Sequence, residues 1–178
     1  RNHIIDTITI HSLQGNEATV ERIGNEFAQP SRQASCNYGI AYDGKIVLCC
    51  PESDRSWCSS NRANDHRAIT IEVSTLAKQD KPRYKVYPAA FESLIKLLVD
   101  ICKRNNISKL LWVDDKNLIG QIDKQNMTIH RWFANTDCPG EDLYSRMGEI
   151  ADKVNEQLHP KIKGDVNNDG VVDIDDTT

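Results

Sequence analysis

The sequence predicts one layer stack of the α/β or α+β class. Three observations point there: β-branched runs with strand-like alternation, an Asp-Gly hairpin signal, and amphipathic helical stretches interleaved with them. "IIDTITI" (4–10) has the β-branched richness of a strand and ends directly at His11. "NEATVERIGNEFAQ" (16–29) places Val20, Ile23 and Phe27 at helical spacing, with Asn16 as the N-cap. "NYGIAYDGKIVLCC" (37–50) reads as a hairpin turned by Asp43-Gly44. Residues 51–67 are polar and turn-rich, a loop by composition. "AITIEV" (68–73) alternates as a strand, with Ile69 and Ile71 on one face and Thr70 and Glu72 on the other. "PAAFESLIKLLVDICKRN" (88–105) predicts an amphipathic helix with Pro88 in its first turn and basic residues in its last. "KLLWV" (109–113) predicts a short buried strand, and "EDLYSRMGEIADKVNEQL" (141–158) a long final helix after Pro139-Gly140. The body ends near His159-Pro160.

With 178 residues, of which 39% are hydrophobic, the chain suits one compact domain with an appendage. The net charge of −4 is concentrated at one end. Residues 165–178 hold five aspartates and no Lys or Arg, which leaves the rest of the chain at +1. Such a body lacks the basic stripe of a nucleic-acid-binding protein. No apolar run approaches the roughly 18 residues of a membrane span. The chain opens at Arg1 without a methionine, as an excised fragment would, so the lack of a leader carries no weight. Six cysteines are too few for a disulfide scaffold at this length.

The chemistry concentrates in "TIHRWFANTDCPG" (128–140). His130 closes a short β-like run, Cys138 follows in a loop ahead of the last helix, and His11 closes the first strand. Two imidazoles and a thiolate are good donors for a first-row metal. Three protein ligands leave a tetrahedral position open, as in catalytic zinc sites. Zinc so held lowers the pKa of bound water from 15.7 to about 7. Taken singly, each has a plainer reading: a strand-end histidine is more often a satisfied surface or core residue, and a lone cysteine a small buried hydrophobe.

The order "TITIHS … CNYGIAYDG … ESDRSWCSSNRANDHRAITIEVS … MTIHRWFANTDCPG" resembles the zinc-dependent type 2 N-acetylmuramoyl-L-alanine amidases, relatives of the peptidoglycan recognition proteins. The resemblance spans about residues 4–158. It implies an α/β fold with a central mixed β-sheet flanked by helices, a groove with zinc at its floor, and His11, His130 and Cys138 as the zinc ligands. Family members often carry a tyrosine at the position of Cys36 and histidines at Asn37 and Cys58, and this chain has none of them. One branch instead bears a carboxylate in an "I-x-I-E" context. "ITIE" matches it, which makes Glu72 the candidate general base. Where many relatives have an oxyanion-steadying lysine two residues before the cysteine, this chain has Thr136, a neutral donor. Trp57, Asn64 and Asp65 fall beside the implied groove as candidate substrate contacts. Arg131 and Trp132 are expected to pack around the site. Cys36 and Cys58 both stand where the family keeps active-site polar residues, and a disulfide between them is an expectation of the resemblance.

"DVNNDGVVDIDD" (165–176) fits a calcium loop. Asp165, Asn167, Asp169 and Asp173 take positions 1, 3, 5 and 9, the Val171 carbonyl takes 7, and Asp176 takes 12, with Gly170 at the turn. The segment resembles the start of a dockerin, the module that docks secreted bacterial enzymes on cohesin-bearing scaffolds, truncated after one EF-hand-like loop. The expected division is therefore a zinc amidase domain over 1–160 and a calcium-binding, dockerin-like tail over 161–178.

Three functions fit these residues. The first is an extracellular or cell-wall-associated bacterial hydrolase that cuts the amide between N-acetylmuramic acid and L-alanine in peptidoglycan. The second is a peptidoglycan-binding module without turnover, against which the retention of Cys138 together with Glu72 argues. The third is a closed structural zinc site, which requires a fourth protein ligand. His66 is the loop histidine left to supply it.

Overall fold

Parallel strands rich in isoleucine and threonine form the centre of the molecule. The structure, a computed structural model, describes residues 1–15, 17–77 and 82–160. Five strands make one mixed sheet: β1 (Thr7–Gln14), β2 (Tyr38–Ile40), β3 (Ile46–Leu48), β4 (Ala68–Thr75) and β5 (Met127–Ile129), in the order β3-β2-β4-β1-β5. β1 runs parallel to both β4 and β5, and β2 runs parallel to β4 and antiparallel to β3. This is the mixed sheet flanked by helices that the resemblance implies.

Two-residue alternation sorts the central strands into an apolar face and a polar one. Ile8 and Ile10 of β1 stand opposite Ile69 and Ile71 of β4, and Met127 and Ile129 of β5 flank them. All six are fully buried, in one cluster with Leu94, Leu98 and Ile101 of α3 (Pro88–Arg104) and with Ile150 and Val154 of the last helix. Each such side chain contributes about 1.5–3 kcal/mol by leaving water. The opposite face carries Thr9, His11, Thr70, Glu72 and Thr128. At its β2–β3 edge, helix α1 (Val20–Phe27) packs Ile23 and Val20 against Leu13, Ala41 and Val47.

The elements depart from the sequence expectations at several places, each with a local cause. β1 does not stop at His11 but continues to Gln14, because its partner β4 also extends, to Thr75. Helix α1 begins at Val20, with the Thr19 hydroxyl accepting from the Arg22 N–H; Asn16 lies outside the described residues. The supposed loop 51–67 ends in helix α2 (Arg62–Arg67), capped by the Asn61 side chain on the Asn64 N–H. Five polar residues and one alanine have no apolar period to betray a helix.

"KLLWV" is not a strand. Side-chain amides take its backbone groups instead: Leu111 N–H donates to Asn126 Oδ1 (2.8 Å), Val113 N–H to Gln125 Oε1 (3.2 Å), and Asn126 Nδ2 donates to the Lys109 carbonyl (2.8 Å). The final helix is two, α4 (Glu141–Ser145) and α5 (Met147–Leu158). They break at Arg146, whose guanidinium lies 3.5 Å from the Phe91 ring centroid. The Asp43-Gly44 hairpin forms as expected. Gly44 has φ +84°, and a Cβ there would stand 2.8 Å from the Ala89 carbonyl oxygen of α3.

Candidate metal centre and active site

The site grows from strand register. His11 on β1 is the direct partner of Glu72 on β4. His130 comes one residue after the Ile10–Ile129 pair and opens a 3-10 turn (His130–Trp132) at the end of β5. Pairing thus puts an imidazole and a carboxylate on neighbouring strands, with the second imidazole directly past the end of β5. The loop 133–140 swings back over them and delivers Cys138. Arg131 anchors that loop: its N–H and Nε donate to the Cys138 carbonyl (3.2 and 3.4 Å), and Nη2 donates to the Asp137 carbonyl. At the loop's far end Gly140 adopts φ +87°, where a Cβ would collide with the Tyr84 side chain at 2.6 Å.

One ligand atom each from His11, His130 and Cys138 lie within 4.8 Å of one another. Cys138 Sγ is 3.5 Å from His11 Nδ1 and accepts from the Ser12 N–H at 3.4 Å. Zinc bonds of about 2.3 Å to sulfur and 2.0–2.1 Å to nitrogen at a tetrahedral angle span an edge of roughly 3.5 Å. The donor set therefore fits such an ion. Electrostatics agree. Burial, reinforced by nearby His130, pushes His11 down to about 3, so its imidazole is neutral with a free lone pair. Burial also lowers His130, and burial together with the nearby Glu72 carboxylate drives the Cys138 thiol far up, outweighing the Ser12 hydrogen bonds and the Arg131 charge that favour the thiolate. A dication between them would supply the missing charge.

Glu72 is the other unbalanced group. Burial pushes its carboxyl up to about 7; Oε1 meets the Cys58 thiol at 3.7 Å, and Oε2 is buried without a partner. A carboxyl whose pKa is raised to about 7 beside a set of metal-donor side chains is suited to general-base work. A cleft of about 250 Å³ is lined by Glu72, His130, Thr136 and Cys138. Thr136 Oγ1 accepts from the Cys138 N–H at 3.2 Å, so the hydroxyl both caps the cysteine turn and keeps its proton for a group in the cleft.

A second cleft, of about 400 Å³, meets the first at His130 and includes Trp57, Cys58, Ser60 and Asp65. The exposed Trp57 ring, with the Arg55 guanidinium 5.0 Å from its centroid, forms part of this wall. Asn64 is placed otherwise. It is buried under the sheet's polar face, where Nδ2 donates to Thr9 Oγ1 (2.9 Å) and Oδ1 accepts from Thr128 Oγ1 (3.1 Å). Buried, with both ends of its amide engaged, it braces the polar face from within. Asp65 is buried too, accepting from the backbone of Cys58 and Ser59 and from Ser59 Oγ (2.6 Å), so it holds the loop that carries Cys58.

Cys36 and Cys58 are not joined, and all six cysteines are free thiols. The Cys36 thiol hydrogen-bonds Cys49, whose N–H extends the hairpin ladder to the Asn37 carbonyl, while Cys58 turns to Glu72. His66 sends Nδ1 to the Asn2 N–H and joins none of the potential metal clusters among the described residues. Sequence reasoning missed Ser12 and also Ser60, whose hydroxyl meets His130 Nε2 at 3.1 Å. A serine in a polar loop gives no signal of that contact.

The family described as N-acetylmuramoyl-L-alanine amidase matches residues 1–141. The chain belongs to that family. Accordingly, it is an enzyme of the amidase class and acts on the amide bonds of peptidoglycan. Solved structures share the amidase's fold. PlyL is 18% identical with a TM-score of 0.60, covering 84% of this chain and 83% of its own. The amidase LysC from Clostridium intestinale is 20% identical with a TM-score of 0.56, covering 86% and 87%. The Staphylococcus aureus hydrolase AmiA is 15% identical with a TM-score of 0.58, covering 94% and 77%. No curated protein matches the amidase. No helix among its described residues is long and apolar enough to cross a membrane.

Proposed function

We propose that the chain cleaves the amide between the lactyl group of N-acetylmuramic acid and L-alanine, using zinc held by His11, His130 and Cys138 and Glu72 as general base. The observation that supports this most is the unpartnered Glu72 Oε2 beside a neutral, buried imidazole and a buried thiol. When bound, zinc supplies Lewis-acid polarisation of the scissile carbonyl and acidifies a water ligand. Glu72 takes the proton of the attacking water at its carboxylate and returns it to the departing amine, a role worth about 10²–10⁴-fold in rate. The Thr136 hydroxyl donates toward the developing oxyanion. Ser60 orients the His130 ring, and Trp57 offers a face for a sugar or peptide. Residues 1–160 form the catalytic domain in this reading, which acts outside the cell or at the wall.

Zinc analysis and muropeptide product analysis test the assignment together. Purified protein is expected to hold zinc and release peptide. Glu72→Gln should keep the zinc and lose turnover by about 10²-fold or more, and Cys138→Ala should lose turnover and bind zinc far more weakly. Release of reducing sugar ends in place of peptide, or full turnover in Glu72→Gln, would overturn it.

For the tail, outside the described residues, we propose a calcium loop formed by Asp165, Asn167, Asp169, Val171, Asp173 and Asp176, which in a longer parent serves docking to a cohesin-bearing scaffold. Calorimetric titration of the full chain with calcium should show binding that Asp165→Ala/Asp169→Ala abolishes. Equal binding by the variant would refute the loop.

A further inference from the structure

A second set of donors lies against the first and shares one residue with it. Ligand atoms of His11, Cys58 and Glu72 lie within 4.8 Å of one another, as do those of His11, His130 and Cys138. The Cys58 Sγ to Glu72 Oε1 distance is 3.7 Å. Zinc bonds of about 2.3 Å to sulfur and 2.0–2.2 Å to oxygen span an edge of roughly 3.6 Å at a tetrahedral angle. Two of these residues also carry a buried atom with no hydrogen-bond partner, Glu72 Oε2 and His11 Nε2. Buried polar atoms seldom stay unpaired without a reason. Cys58 is also held in place: its N–H donates to Asp65 Oδ2 at 3.3 Å, and the neighbouring Ser59 is tied to the same carboxylate.

We propose that His11, Cys58 and Glu72 form a second cation seat that takes a thiophilic divalent cation, zinc or cadmium. A thiolate, an imidazole and a carboxylate are the donor types that such ions accept. Occupation requires the Cys58 S–H bond to break, its proton leaving to solvent and its electron pair passing to the metal, with Glu72 binding as the carboxylate. Filling the seat therefore releases protons and strengthens as pH rises. The seat has a functional consequence. An ion there occupies Glu72, so it withdraws the carboxylate that turnover needs, and it draws on His11 in competition with the first cluster. Excess zinc is therefore an inhibitor, acting through Cys58.

Cadmium binding followed by thiolate-to-metal charge-transfer absorption tests this without any need for turnover. In Cys138→Ala the first cluster has lost its thiol and the second is intact. That variant is expected to keep a cadmium–thiolate band, and Cys138→Ala/Cys58→Ala is expected to lose it. No band in Cys138→Ala, or an undiminished band in the double variant, would refute the seat. Zinc inhibition of the otherwise unaltered enzyme supplies an independent reading should the double variant fail to fold. Cys58→Ser should need at least tenfold more zinc for half-inhibition than the parent, and an unchanged inhibition curve would also overturn the proposal.

Discussion

At the scale of single residues, side chains that look alike in sequence divide into those with free chemistry and those already spent. Asn64 and Glu72 are both polar residues in the stretch that carries the family resemblance. Asn64 has both ends of its amide bonded inside the protein, whereas Glu72 keeps a bare oxygen. The difference makes a prediction. Asn64→Ala leaves Thr9 and Thr128 without their shared partner, at a cost of about 1–3 kcal/mol. Denaturant unfolding should record that loss while KM for muropeptides stays unchanged; a raised KM with unchanged stability would return Asn64 to the substrate groove. The grouping of His11, His130 and Cys138 was legible in the sequence as a candidate donor set because their order matches a family, and the structure brings the three together. The duty of Asn64 was not, because it rests on two hydroxyls at positions 9 and 128, far off in the chain.

Among the elements, small clamps fix how the hairpin and α3 meet. Glu52, just past the β2–β3 hairpin, accepts from Tyr38 OH (2.8 Å), Arg104 Nη1 (2.7 Å) and Asn105 Nδ2 (3.2 Å) at the end of α3. Burial alone pushes the Glu52 carboxyl up, but these three donors outweigh it and hold the group below its ordinary value. A depressed carboxyl stabilises the fold above its unfolded-state pKa of about 4.3, and that stability is lost as pH falls through the folded value. Glu52→Gln should therefore be less stable than the parent at pH 7, with the gap narrowing on acidification below about pH 4. A gap that held constant to pH 2.5 would mean the carboxylate charge is irrelevant there. The same dependence on side-chain partners explains why "KLLWV" misled. Apolar composition promises a strand, but Gln125 and Asn126 take the backbone groups that a neighbouring strand would need.

For the whole molecule, the apolar and polar faces of β1, β4 and β5 are two sides of one sheet. Leu98 sits fully buried on α3 in the cluster behind the site. Leu98→Ala should cost about 2–5 kcal/mol, read as a lowered unfolding midpoint, and should weaken metal binding without touching a ligand. Unaltered zinc affinity in that variant would show that the core and the cluster are uncoupled. The class of fold was legible because the hydrophobic alternation of "TITIHS" and "AITIEV" survives into paired strands. The length of β1 was not, since its last residues are ordered by β4 rather than by their own composition.

The placement of β1 between β4 and β5 has a metrical consequence. Adjacent strands lie about 4.8 Å apart, a distance set by the length of the peptide hydrogen bond. Glu72 stands one such interval from His11 as its partner on β4, His130 follows directly on the Ile10–Ile129 pair on the other side, and the His11 and His130 ring centroids are 5.0 Å apart. The backbones that carry these three side chains are therefore spaced by the ladder, while Cys138 reaches them from a loop. The sheet serves this protein as a ruler, and its marks set how far apart the strand-borne donors begin.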